Sequence, residues 1–218
     1  MHLTKLVLAL AVTAAVCPAG VIFSNTTTDA QDSAFYSASG VTQIGDRLQL
    51  ASAAALTSLD AQFFNAGSDT TFDAVLRFYD SGNPVGSQIG GPFTTTSIFI
   101  ASGTSQTVTF SNLGNLLVPQ DLVLTFSAEN VSGGGDIGVN FFDPPTVGTS
   151  SESFFIVYDG SNFAQASTNL EHDNIYLQID GTALSPAPEP STASLFAGAL
   201  AVLACGSMAR RVRRRYGQ

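Results

Sequence analysis

The chain has 218 residues, 44% of them hydrophobic and only 11% charged, with eight basic residues against seventeen acidic ones. Lys5 and five arginines at 210–215 lie in the terminal segments, so 20–189 keeps only Arg47 and Arg77 against all seventeen acids, a formal charge of −15. An acidic body of this kind repels phosphates, which excludes nucleic acid as a partner, and Cys17 and Cys205 both fall outside it, which excludes disulfides and thiol chemistry there.

The chain opens with Lys5, an apolar stretch over 6–16 and then Cys17-Pro18-Ala19-Gly20. A basic start, a short apolar run and small residues after it predict a secretory signal peptide over 1–19. Ala14, Ala15 and Ala19 are all compatible with the cut. The run is too short to span a bilayer. Val16 stands before Cys17 where a lipoprotein signal has a small residue.

Residues 20–184 read as one exported all-β domain, long enough for a core of its own. Apolar and polar residues alternate in 59–63, 72–79, 122–127 and 175–180, which puts one set on a core face and the other toward solvent. Shorter strands are expected at 47–50, 96–100, 107–110, 137–141 and 154–158, and the abundant phenylalanine and β-branched residues suit a pleated surface. Residues 51–55 are compatible with a helical turn or a loop. Turn formers separate the runs: Asp80-Ser81-Gly82-Asn83-Pro84, Gly90-Gly91-Pro92, Ser132-Gly133-Gly134-Gly135-Asp136, Asp143-Pro144-Pro145 and Asp159-Gly160-Ser161-Asn162. Eight to ten strands at this spacing predict an antiparallel β-sandwich, most simply jelly-roll-like.

After Leu184 a proline-rich linker occupies 185–190, an uncharged apolar run 191–209, and an arginine-rich tail 210–218. Nineteen helical residues span roughly 28 Å at about 1.5 Å each, just enough for one transmembrane helix. Basic residues flanking a span stay cytoplasmic, so Arg210, Arg211, Arg213, Arg214 and Arg215 leave the body outside. Pro188-Glu189-Pro190, the apolar run and the basic tail, in this order, resemble the PEP-CTERM sorting signal of exopolysaccharide-producing Gram-negative bacteria. The resemblance implies export across the inner membrane, recognition by an exosortase-type transpeptidase near Pro188, Glu189 and Pro190, and a span held only until processing. Val41-Thr42-Gln43-Ile44-Gly45-Asp46-Arg47-Leu48-Gln49-Leu50, a strand over 56–64 and Arg77-Phe78-Tyr79-Asp80 are similar to the choice-of-anchor group of predicted sandwich domains. That group brings no catalytic residues to carry over.

Few residues of the domain carry an evident chemistry. His172 is its one histidine, and zinc wants three or four convergent ligands, so a solvated loop histidine is the reading taken. Calcium is the more credible ion. Asp173, Asn174 and Glu171 are its candidate late ligands and Asp29 or Asp32 its early ones, although the same residue types cap turns. No Gly-x-Ser-x-Gly elbow is present, and Gly133-Gly134-Gly135 is followed by no lysine, so it is not a phosphate loop. No catalytic residue and no bound cofactor is expected, and a secreted hydrolase is a distant reading. Glycan binding stays open: tryptophan is absent, and Tyr79 and Tyr176 fall on the polar register of their strands. The expectation is a non-enzymatic surface or matrix protein of structural or adhesive role, with a carbohydrate-binding module as the alternative and exopolysaccharide as a possible partner in either.

Overall fold

A computed structural model describes residues 19–37, 40–150, 155–167 and 174–184. The signal peptide, Glu171, His172, Asp173, Pro188, Glu189, Pro190, the span and the arginine tail lie outside the described residues. Regular structure among the described residues is entirely β: β1 (Gly20–Asn25), β2 (Asp29–Phe35), β3 (Gln43–Gln49), β4 (Ala54–Asn65), β5 (Thr70–Ser81), β6 (Val85–Ile100), β7 (Ser105–Phe110), β8 (Leu116–Val118), β9 (Asp121–Gly133), β10 (Ile137–Phe142), β11 (Thr149–Ser150), β12 (Phe155–Tyr158), β13 (Phe163–Ala166) and β14 (Leu177–Ala183). Among these residues no helix is long and apolar enough to cross a membrane.

The strands form two antiparallel sheets. The first runs β1-β14-β4-β10-β2, with β7 and β8 pairing along the opposite edge of β4, and the second runs β13-β12-β3-β9-β5-β6, with β11 on β3. The chain's first and last described strands are neighbours, Val21 opposite Asp180 and Asn25 opposite Leu177.

Period-two alternation explains why the sheets face each other. On β5, Phe72, Ala74, Leu76 and Phe78 are buried in the core while Arg77 and Tyr79 point the other way. On β9, Leu122, Leu124 and Phe126 do the same, leaving Val123, Thr125 and Ser127 on the outer face. Rings from the two sheets then meet: Phe63 of β4 packs edge-on to Phe126 of β9 at 5.7 Å and tilted against Phe72 of β5 at 5.3 Å. Phe141 of β10 meets Phe155 of β12 at 5.2 Å. Each fully buried ring contributes roughly 1.5–3 kcal/mol through its area removed from water.

The strand count and one turn depart from expectation. Fourteen strands form among the described residues where eight to ten were expected, because β1, β2, β8, β11 and β13 carry no clean alternation. Gly90-Gly91-Pro92 does not end a strand. Phe93 pairs with Leu76 and Ile89 with Phe78, so the three residues bulge opposite Arg77 inside β6. Among the described residues β6 has no strand partner beyond β5 in the sheet order, and an edge strand tolerates a proline that donates no bond. Residues 51–52 make a bend and β4 begins at Ala54. The last strand starts at Leu177, and Ile175 makes only an isolated bridge to Phe141.

Candidate functional site

The outer face of the second sheet carries a polar network built on β3, β5 and β9. The Tyr79 hydroxyl donates to Gln43 Oε1 at 3.2 Å, and Thr125 Oγ1 donates to the same oxygen at 2.6 Å. Arg77 donates to Ser127 Oγ at 2.8 Å and to Glu129 Oε1 at 3.0 Å, and Ser127 Oγ donates to Glu129 Oε1 at 3.0 Å. The Arg77 hydrogen bond holds the Glu129 carboxyl below the usual glutamate range. Gln43, Arg77, Ser127 and Glu129, with Tyr36 and Thr42, line a recess of about 410 Å³. Tyr36 packs against the core, its hydroxyl is buried without a partner among the described residues, and burial pushes its phenol well up.

Beside this network the same face is roofed. Tyr79 is only 6% exposed and packs with Val123 and Ile156 under Val85 and Phe163. Phe163 sits edge-on to Tyr79 at 5.2 Å and tilted over Tyr158 at 4.5 Å. The Asp159 carboxylate accepts from Ser161 N and Asn162 N, both at 2.8 Å, and so closes the turn that places Phe163. Arg47 donates to the carbonyls of Gly82 and Pro84, clamping the β5–β6 turn onto the face. Tyr79 therefore faces outward, as its register implied, yet forms a floor and not a platform.

The outer face of the first sheet is built differently. Gly138 lies between Phe35 of β2 and Phe64 of β4. A Cβ there would stand 2.8 Å from the Phe35 ring and 2.4 Å from the Ala34 carbonyl, so the glycine lets the two half-buried rings meet edge-on at 6.1 Å. One step along the strands, Asn140 is only 8% exposed and acts as a hub. Its Oδ1 accepts from Ser33 Oγ at 2.7 Å, and its Nδ2 donates to Gln62 Oε1 at 2.7 Å and Ser105 Oγ at 2.8 Å. Four strands thus share one side-chain ladder. Asp29, Gln31, Asp32, Ser33, Phe64, Ser105 and Asn140 line a recess of about 230 Å³ over it.

Of the residues singled out for calcium, only Asn174, Asp29 and Asp32 are described. Asn174 is fully buried; its Nδ2 donates to Asp143 Oδ1 at 2.8 Å and its Oδ1 accepts from Ser150 Oγ at 2.6 Å. Asp29 and Asp32 belong to the first-sheet recess, each accepting one local backbone N–H, from Gln31 and from Ser33. Among the described residues no three or more His, Cys, Asp or Glu side chains are grouped to hold a metal ion. Tyr176 lies edge-on to Phe142 at 4.8 Å. Asn25, in a sequence that fits an N-glycosylation acceptor, is fully buried and donates to the carbonyls of Phe142 at 2.7 Å and Ile175 at 3.2 Å. It is therefore a structural amide.

The sequence reading missed Phe35, Phe64 and Asn140. The one available signal was Asn140 itself, a polar residue inside the otherwise apolar run of β10. Compared with protein-family models, with curated proteins and with solved structures, the chain matches none.

Proposed function

We propose that this is an exported, non-enzymatic protein of the cell surface or extracellular matrix, delivered by the PEP-CTERM route, with a structural or adhesive role. One observation carries the reading: Pro188-Glu189-Pro190, nineteen uncharged residues and five arginines follow the domain in that order. The run is apolar enough for a single crossing, and the arginines hold the far end in the cytoplasm. The −15 charge of 20–189 suits a domain that must stay soluble outside the cell. On this reading the sandwich is jelly-roll-like, with β1 and β14 side by side in one sheet. An exosortase-type transpeptidase is the processing partner, and the span is transient.

Replacing Pro188, Glu189 and Pro190 together with alanine tests the route. In the producing cell, the variant is expected to stay in the membrane fraction at unprocessed size, while the parent protein shortens and leaves it. Identical size and distribution of the two would overturn the proposal. Glycan recognition is a second role compatible with the same destination, and the recess over Asn140 on the first sheet favours it.

A further inference from the structure

We infer that the recess over β2, β10, β4 and β7 binds one ring of an uncharged polysaccharide by direct hydrogen bonding and ring stacking, without a metal. The inference gives a ligand class to the second role and is independent of the sorting route, so a domain that bound no glycan would leave that route untouched.

The size comes first. A recess of about 230 Å³ is smaller than the roughly 300–1,000 Å³ of pockets for drug-sized ligands. It accommodates a single sugar ring and not a folded cofactor. The charge comes next. Asp29 and Asp32 line it and no lysine or arginine does, so a uronate, sulfate or phosphate group would meet carboxylates with no cation to offset them.

The remaining groups match a polyhydroxylated ring. Asp29 Oδ1 and Asp32 Oδ1 accept local N–H groups, while the second oxygen of each has no bond among the described residues. Those oxygens accept from hydroxyls. Gln31 is exposed, stands at a positive φ of 58° and makes no side-chain bond among the described residues, so its amide is free to pair with two neighbouring hydroxyls. Ser105 Oγ accepts from Asn140 and keeps its own proton to donate. Phe64 supplies an apolar face in the same lining, against which the C–H face of a sugar ring packs.

The floor is also held in place before any ligand arrives. Asn140 is fixed by Ser33, Gln62 and Ser105, and Phe64 by Phe35 across Gly138. Little ordering remains to be done on binding, which is what lets a small site work. The recess on the other sheet differs in carrying a cation, Arg77, which bonds to Ser127 and Glu129.

The test uses the full chain purified in detergent, titrated by calorimetry in EDTA with hexasaccharides of dextran, cellulose, mannan and galactan, and with an alginate hexasaccharide as the polyanion. At least one neutral probe is expected to bind at a single site and alginate to bind none. Phe64→Ala is expected to weaken that binding by about tenfold. Asp32→Asn keeps the oxygen that caps Ser33 while replacing the outward one, and is expected to weaken binding with an unchanged melting curve, so the test does not hang on Phe64→Ala folding. Glu129→Gln, at the other recess, is expected to bind as the parent does. Four results would each overturn the inference: no binding by any neutral probe, alginate binding as tightly as the neutral probes, binding that vanishes in EDTA but returns with calcium, or Glu129→Gln weakening binding as much as Asp32→Asn.

Discussion

On the outer face of the second sheet, Arg77, Ser127 and Glu129 bond to one another, and Tyr79 and Thr125 share Gln43. On the outer face of the first, Asn140 ties its neighbours together, yet Gln31, the Gln62 amide nitrogen and the outer oxygens of Asp29 and Asp32 have no bond among the described residues. The second face is also roofed by Phe163 and by the turn that Arg47 clamps. The contrast separates two uses of surface polarity. An ion-paired network beside a roof fixes strand register, whereas a neutral ladder under a cation-free recess leaves its carboxylate oxygens available as acceptors.

The most disruptive way to probe the contrast is through the core both faces share. Phe63→Ala removes a fully buried ring that touches Phe72 and Phe126 of the opposite sheet, and is expected to destabilise by about 3–5 kcal/mol. Urea unfolding should remain a single transition, since the sheets have one core. Two separate transitions would mean that the faces belong to independent units.

Asn140→Ala comes next. It strips three partners of a bond at a site that is 8% exposed, with an expected loss of about 1–3 kcal/mol in chemical denaturation. Tyr79→Phe removes one hydroxyl from the roofed face and leaves Thr125 on Gln43, so about 0.5–1.5 kcal/mol is expected. A larger loss from Tyr79→Phe than from Asn140→Ala would reverse the assignment of the hub.

Glu129→Gln is the mildest change. The Glu129 side chain is 48% exposed, so solvent screens its ion pair and the expected loss is below about 1 kcal/mol. Its carboxyl is held below the usual range, chiefly by the Arg77 hydrogen bond. The stabilisation is therefore complete at neutral pH, above the range of an unfolded glutamate. It is lost as acidification protonates the folded group below that range. The parent and Glu129→Gln stabilities, compared by thermal melts across acid pH, should converge at the acid end.

Much of the sandwich was legible because the sequences of β5, β9 and β14 alternate between residues that face the shared core and residues that face away from it. In β10 all six residues are buried, as are 122–127 of β9. β10 lies between β4 and β2, and its outer side is covered by Phe35 over Gly138 and by Tyr176 over Phe142. β2 reads Asp-Ala-Gln-Asp-Ser-Ala-Phe, where only Ala34 is buried, so no periodic signal marks it. Gly90-Gly91-Pro92 looked like a turn because bulges use the same residues as turns.

The recess was less legible, and for a different reason. Ser33, Gln62, Ser105 and Asn140 are ordinary residues at wide separations, and only the registers of β2 on β10, β10 on β4 and β4 on β7 bring them into one row. Tyrosines drew attention as sugar platforms, whereas the half-buried aromatic beside the amides is a phenylalanine paired across a glycine.

The placement of β14 has a mechanical consequence. It lies between β1 and β4, bonded along both edges, and its chain leaves at Leu184, whose N–H donates to the Ala53 carbonyl. Tension applied at that end runs along the strand axis, so both ladders are loaded in shear and their bonds must fail together instead of opening one at a time. Resistance to forced unfolding is set by the unfolding rate and not by the equilibrium stability. Tension on the domain's C-terminal end would thus be met by a strand bonded along both edges.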